Sequence, residues 1–361
     1  MHRAPRLRSF IYAAAIVVIV TATSQRASAE HARKGSQSLT RQTGAAQASA
    51  FQSGASQTSA TQMVTDETGR RVLVPFKVNR IVSLAPNITE TIYALGLEEK
   101  LAGDTDYCDT PAAAKLKPHV GSMLNPSLEA IVALHPDLVL AAANSANRRE
   151  TVDALARLGV AVYATDSRTV GGMFESIAHI SSLAGAAQQG TALVTRLQAR
   201  LNALQTRLAE RPLIHVLFVV WEDPLITIGQ NTFIADALRW SGAESVVIAK
   251  QDWPQLALEE VVRLQPEYIV FTGKHSESSG TQVSDLRSRP MWKDLRAVEV
   301  GHVVNVSEEI DRPAPGLIDA IEELAHRLHP DAFPGENTRA MNHPPAHIRV
   351  DASEENYSCA R

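Results

Sequence analysis

Cysteine is nearly absent. The two present in 361 residues, Cys108 and Cys359, are spaced for neither a disulfide framework nor a metal-ligand pair. Aromatic residues make up only 5%, so a Trp or Tyr in a loop stands out. Charge is close to balanced, 35 Lys and Arg against 39 Asp and Glu, and this excludes the broad basic field that draws a protein to nucleic acid. There is no Gly-x-Ser-x-Gly elbow, no His-Glu-x-x-His pair and no phosphate loop, so none of the familiar hydrolase or nucleotide signatures is present. Apolar runs also fall short of the ~20 residues a membrane span needs. The longest candidate, Phe10 to Ala22, is broken by Thr21.

That run has a different use. Arg3, Arg6 and Arg8 precede it and Ala27-Ser28-Ala29 follows, the pattern of an export signal cleaved after Ala29. No cysteine follows the run, so the expectation is a periplasmic protein without a lipid anchor. Residues 30–63 are Ser, Ala, Gln, Gly and Thr with few large apolar side chains; they read as a linker unable to offset the entropy of ordering. The stretch 333–361 reads as a tail of the same kind.

Between them the chain alternates short apolar strands with helical periodicity, as in small parallel sheets wrapped by helices. Two segments repeat. Ser127 to Leu140 and Ala257 to Val270 align without a gap at an offset of 130 residues, sharing Leu, Glu, Leu and Pro at matched places. The run from Val170 to Leu208 lies between them, with apolar residues stepping by three and four. If unbroken, its roughly 36 helical residues at ~1.5 Å each would reach about 54 Å. The organisation expected is therefore an α/β lobe over 64–169, a backbone helix over 170–211 and a second α/β lobe over 212–332. Ligands of such pairs sit in the cleft between the lobes, at the loops leaving the strand ends.

Five stretches carry a resemblance: Arg80 to Pro86, Asp106-Tyr107-Cys108-Asp109-Thr110-Pro111, Leu128 to Leu140, Asp252-Trp253-Pro254-Gln255 and Asp311-Arg312-Pro313-Ala314-Pro315. From about Arg80 to Leu328 the chain resembles the periplasmic binding proteins of ABC importers for cobalamin and for ferric siderophores or haem. The resemblance implies two lobes on one rigid helix (the class III architecture), no enzymatic activity and no cofactor of its own. It also implies a monomer that serves an inner-membrane permease dimer with its ATPase. Glu129 and Glu259, in the first turns of the repeated helices, match the glutamates that dock into permease arginines; the alternative is a carboxylate that stabilises a helix start. Tyr107 and Trp253 match aromatic residues of the corrin-binding cleft, and Arg312 matches an arginine reaching the ring's amides. Trp221 directly follows a strand and could reach the same cleft. Met123 and Ala142 stand where cobalamin binders carry tryptophans; Met123 can still pack on a flat ring. The expected ligand is a corrinoid, cobalamin or cobinamide, captured for delivery to the permease. A ferric siderophore or haem is the alternative, and siderophore binders usually supply several cleft arginines where this chain offers Arg312, with Arg148 and Arg149 as further candidates. A metal-ion receptor would need converging histidines, and only His119 and His275 lie in plausible loops. An exported enzyme is the rival of another class.

Overall fold

The computed structural model of the protein describes residues 60–143, 147–272 and 283–334, all within one compact unit, Gln57–Arg361. The export signal, nearly all of the linker, and residues 335–361 with Cys359 lie outside the described residues.

The described chain enters through an antiparallel hairpin, β1 (Thr61–Thr65) and β2 (Arg71–Pro75). Strand pairing therefore includes residues a few positions before the expected boundary at 64. Polar-looking Thr61 to Met63 pair with Leu73 to Pro75, and this main-chain ladder needs no apolar signal. The first lobe then runs β3 (Ile81–Ser83), α1 (Pro86–Ala94), β4 (Leu101–Gly103), α2 (Leu128–Ala133), β5 (Leu138–Ala142), α3 (Arg149–Arg157) and β6 (Val162–Thr165). Its sheet is parallel, in the order β4-β3-β5-β6. Pro86 opens α1 at a position where a missing N–H costs nothing. Ser127 caps α2 by accepting from the Ala130 N–H at 3.1 Å.

Past α4 (Val170–Leu183) and α5 (Ala187–Leu208) comes the second lobe. It runs β7 (Ile214–Val219), the short hairpin β8 (Trp221–Glu222) and β9 (Leu225–Ile226), α6 (Phe233–Trp240), β10 (Ala243–Ser245), α7 (Leu258–Leu264) and β11 (Tyr268–Thr272). After α8 (Val283–Ser288) and α9 (Arg296–Val300) it closes with β12 (Val303–Val306) and α10 (Leu317–Leu328). Its parallel sheet has the order β10-β7-β11-β12. Counted within each lobe, both sheets read second, first, third, fourth strand. The internal repeat is thus a repeat of topology, with β4 equivalent to β10 and β6 to β12. It extends to the backbone: His135 and Gln265, 130 residues apart, both leave their helix at positive φ, 46° and 45°, just ahead of a proline.

Strand alternation decides the packing. On one face of each sheet, Leu138, Leu140, Val216, Phe218 and Val270 join a single apolar core that also takes in α1, α4, α5, α6 and α10. On the opposite faces, Val139 and Ala141 pack with Ile131 and Leu155, and Leu217, Ile269 and Phe271 with Val261 and Leu286. The two lobes therefore share one interior and keep separate outer layers.

The expected helix over 170–211 is corrected. It breaks at Gly185, which takes φ 72°, and the Ala186 N–H donates to the Ser181 carbonyl at 2.7 Å, the glycine-based stop of a Schellman-type turn. The chain then doubles back, so that a Cβ on Gly190 would sit 1.9 Å from Ser181 Oγ. The backbone helix is α5 alone, 22 residues or about 33 Å long. It docks on the second lobe where Arg200 meets Glu322 and Asp319 and where Gln205 donates to the Trp240 carbonyl. The second lobe also runs past 332: Phe333 is buried, stacked on His326 with centroids 3.7 Å apart. The second lobe's α8 and α9, and the strands β4 and β10, carry no clear signal in the sequence. Elements of three to six residues are too short to show a period.

Candidate functional site

Loops leaving the C-terminal ends of the strands carry the expected ligand residues. Tyr107 follows β4 and Trp253 follows the equivalent β10; Trp221 follows β7 and Arg312 follows β12. Tyr107, Trp221 and Trp253 are large aromatics left 54%, 50% and 45% exposed, in a chain that buries Phe218, Phe271 and Tyr163 almost completely. The Trp221 indole N–H donates to the Asp223 carbonyl at 2.8 Å.

Met123 is partly buried against the shared core, and its carbonyl accepts from Asn147 Nδ2 at 2.8 Å. Asn147 also donates to the Leu84 carbonyl and accepts from the Ala142 N–H, so one buried amide fixes three strand-end segments. Ala142 is buried in β5 and offers no surface to a ligand.

The Tyr107 loop is anchored from beneath. Asp104 is fully buried and bonded to His119 Nδ1 at 2.8 Å, while its Oδ2 has no partner among the described residues. Burial pushes its carboxyl up to about 6, against the pull of His119 and Lys117. Cys108 lies in the same loop, buried between the hydroxyls of Thr89 and Thr105 at 3.2 and 3.3 Å. Burial raises its thiol, which identifies it as a packed core group and not a reactive one.

Among the ion pairs that cross from lobe to lobe in the described residues, two mirror each other. Arg168, just past β6, reaches Asp252 beside Trp253 at 3.5 Å. Arg312, just past β12, reaches Asp109, two residues beyond Tyr107, at 3.7 Å. Each aromatic loop is thus held to the opposite lobe by an arginine from the last-strand loop of that lobe. The Arg312 side has more. Arg312 donates to Glu90 on α1 at 2.8 Å and lies 3.4 Å from Glu308. Burial pushes the Glu90 carboxyl up to about 7; Arg312 opposes that rise, and Glu309, Asp109 and Glu308 add to it. Arg312 is thus paired with carboxylates from both lobes, Glu90 and Asp109 from the first and Glu308 from its own. Glu90, 222 residues from Arg312, gave no signal in the sequence, because nothing local marks such a pairing.

Glu129 and Glu259 occupy the second positions of α2 and α7, and both are exposed. Ser127 Oγ donates to Glu129 at 3.2 Å. Arg149 is exposed and close to Asp153 on its own helix at 3.7 Å, and His119 is committed to Asp104, so neither joins the aromatic loops. His275 lies outside the described residues. No helix among the described residues is long and apolar enough to cross a membrane.

Residues 81–309 match the sequence model of the family described as periplasmic binding protein. The chain belongs to that family. Among its relatives, an uncharacterised ABC transporter substrate-binding lipoprotein of Bacillus subtilis is 30% identical over 73% of this chain and 83% of its own length. The vitamin B12-binding protein of Vibrio cholerae is 28% identical over 70% of this chain and 90% of its own length. A crystal structure of the periplasmic vitamin B12-binding protein of Vibrio cholerae superposes with a TM-score of 0.63 at 27% identity, covering 72% of this chain and 99% of that one. A periplasmic haem-binding protein in complex with two haems gives 0.64 at 26%, covering 70% and 98%. As a periplasmic binding protein, the chain is of the substrate-binding kind that serves ABC importers, in the two-lobed α/β class its sequence implied.

Proposed function

We propose that this periplasmic binding protein captures a corrinoid, cobalamin or cobinamide, between its lobes and delivers it to an ABC permease dimer coupled to its ATPase. The observation that carries the reading is the set of half-exposed rings of Tyr107, Trp221 and Trp253 on strand-end loops of both lobes. A flat apolar macrocycle is what such faces cover best, since each ring has on the order of 150–250 Å² to bury. Met123 adds a polarizable edge, and Arg312 with its carboxylates supplies hydrogen-bonding groups for the ring's amide side chains. Glu129 and Glu259 are exposed at the starts of equivalent helices, and charged tips of this kind suit docking to permease guanidinium groups. The Bacillus relative is a lipoprotein; here the first cysteine is Cys108, buried in the folded body. The lipoprotein relative stands against the expectation of export without a lipid anchor.

Haem is the second reading, favoured by the haem-bound neighbour. Visible absorption titration of the purified protein with dicyanocobinamide, cyanocobalamin, haemin and a ferric hydroxamate siderophore separates the readings. A saturable spectral shift with a corrinoid at protein-equivalent concentration is expected. Saturation by haemin or the siderophore alone would overturn the corrinoid reading.

A further inference from the structure

Arg312 stands where a guanidinium would read a ligand, yet it is already engaged. Three carboxylates, those of Glu90, Glu308 and Asp109, lie within 4 Å of it at 2.8, 3.4 and 3.7 Å. With all four groups ionised this is a formal surplus of two negative charges. The innermost partner, Glu90, comes from the opposite lobe and is only 9% exposed, while Arg312 itself is 14% exposed. Asp109 and Glu308 are the accessible members, at 41% and 33%. The mirrored Arg168 is outnumbered as well, with Asp166 at 3.2 Å and Asp252 at 3.5 Å.

The consequence for a ligand follows from charge. A carboxylate brought to this edge meets a guanidinium whose Nη1 already donates to Glu90 and whose carboxylate neighbours repel it, and it must shed water to get there. A carboxamide meets no such barrier. Its NH2 donates to Asp109 or Glu308, and its carbonyl asks for no full positive charge. We propose that Glu90 is a specificity-determining positioning residue: by engaging Arg312 from the opposite lobe it withholds that guanidinium from ligand carboxylates. The site then takes macrocycles edged with carboxamides and turns away those edged with carboxylates. This rests on the site assigned above, and it turns the choice between corrinoid and haem into a property of one buried pair.

The hold is pH-dependent. The groups facing Glu90 are Arg312, Glu308 and Glu309 from the turn after β12 and Asp109 from the Tyr107 loop. Protonation of Glu90 as pH falls through about 7 loosens its claim on Arg312, and rejection of carboxylates relaxes in that window.

The test compares wild type, Glu90→Gln and Glu90→Asp against three probes by absorbance or tryptophan-fluorescence titration. Dicyanocobinamide is amide-edged, dicyanocobyrinic acid carries carboxylates on the same ring, and haemin carries two propionates. At pH 8 the wild type should prefer the amide-edged corrinoid by at least about tenfold, and this ratio should shrink toward pH 6. Glu90→Gln should bring the ratio to within about threefold by tightening the carboxylate probe, with no pH dependence, while Glu90→Asp keeps the discrimination. If neither corrinoid binds, the corrinoid reading fails separately, and the filter still requires haemin to bind Glu90→Gln about tenfold more tightly than wild type. Equal weakening of every probe by Glu90→Gln, or a wild type that takes both corrinoids alike, overturns the proposal. Should Glu90→Gln not fold, Asp109→Asn, exposed on its loop, must shift the ratio in the same direction by a smaller factor.

Discussion

Asp104 is the residue at which fold and site meet. It ties the end of β4 to His119 and so sets the course of the loop that carries Tyr107. Its ordinary value is 3.8 and burial raises it to about 6. Below 3.8 the carboxyl is protonated in folded and unfolded chains alike; as pH rises through 6 the folded protein must ionise a buried group that the unfolded chain ionises freely. Stability from this group is therefore present in acid and lost on the way to neutrality. Asp104→Asn, which cannot titrate, should gain on wild type by about 1–3 kcal/mol between pH 4 and pH 7.5 in urea melts. The same difference at both pH values would mean that Asp104 titrates normally. Glu129 and Glu259 make the opposite case, since both are exposed and neither supports the interior. Lysine at both positions should abolish uptake in cells while leaving ligand affinity within about twofold; a large loss of affinity would place them in the ligand site.

These residues differ in how far the sequence disclosed them. Glu129 and Glu259 were visible because they recur at one offset in matched helices. Tyr107, Trp221 and Trp253 were visible because aromatics are rare here and these follow strands. Glu90 was hidden: its importance depends on a partner 222 residues away, and local chemistry says nothing about a contact that only two assembled lobes create. Arg312 is marked by its match to a ligand-reaching arginine, but its partners on the opposite lobe, Glu90 and Asp109, are hidden for the same reason.

At the scale of elements, β3, β5, β6, β7, β11 and β12 and most helices follow from apolar period and from proline and glycine stops. The long helix misled because its apolar steps continue through Gly185, and periodicity does not record a turn that keeps the same residues buried on both sides of it. Val170 to Leu183 and Ala187 to Leu208 bury the same kind of stripe, Ile177 and Ile180 on one and Leu193, Leu197, Leu201 and Leu204 on the other. Gly190 distinguishes the two arrangements. In a continuous helix Gly190→Ala would stabilise by about 1 kcal/mol through propensity alone. In the observed pair its Cβ would lie 1.9 Å from Ser181 Oγ and 2.5 Å from Ser181 Cβ, so the substitution should destabilise by roughly 1–3 kcal/mol from overpacking. The sign in thermal or urea unfolding decides.

Taken whole, the molecule is two copies of one topology built onto a common interior. The two sheets, α4, α5 and α10 contribute to one core, so moving one lobe against the other disturbs packed side chains as well as a linker. On the ligand side the lobes are tied by charge, Arg168 to Asp252 and Arg312 to Asp109 and Glu90. Ion pairs separate and re-form more readily than packed cores shift. Opening should therefore occur at the charged edge, with the core near α5 acting as the pivot.

Capture of the ligand by both lobes at once is the claim on which everything else depends. Hydrogen exchange with and without saturating dicyanocobinamide tests it most directly. The account predicts new protection in two segments together, about 104–121 around Tyr107 and about 248–257 around Trp253, with the α5 core unchanged. Protection confined to one lobe, or none on the strand-end loops while the ligand is bound, would contradict it.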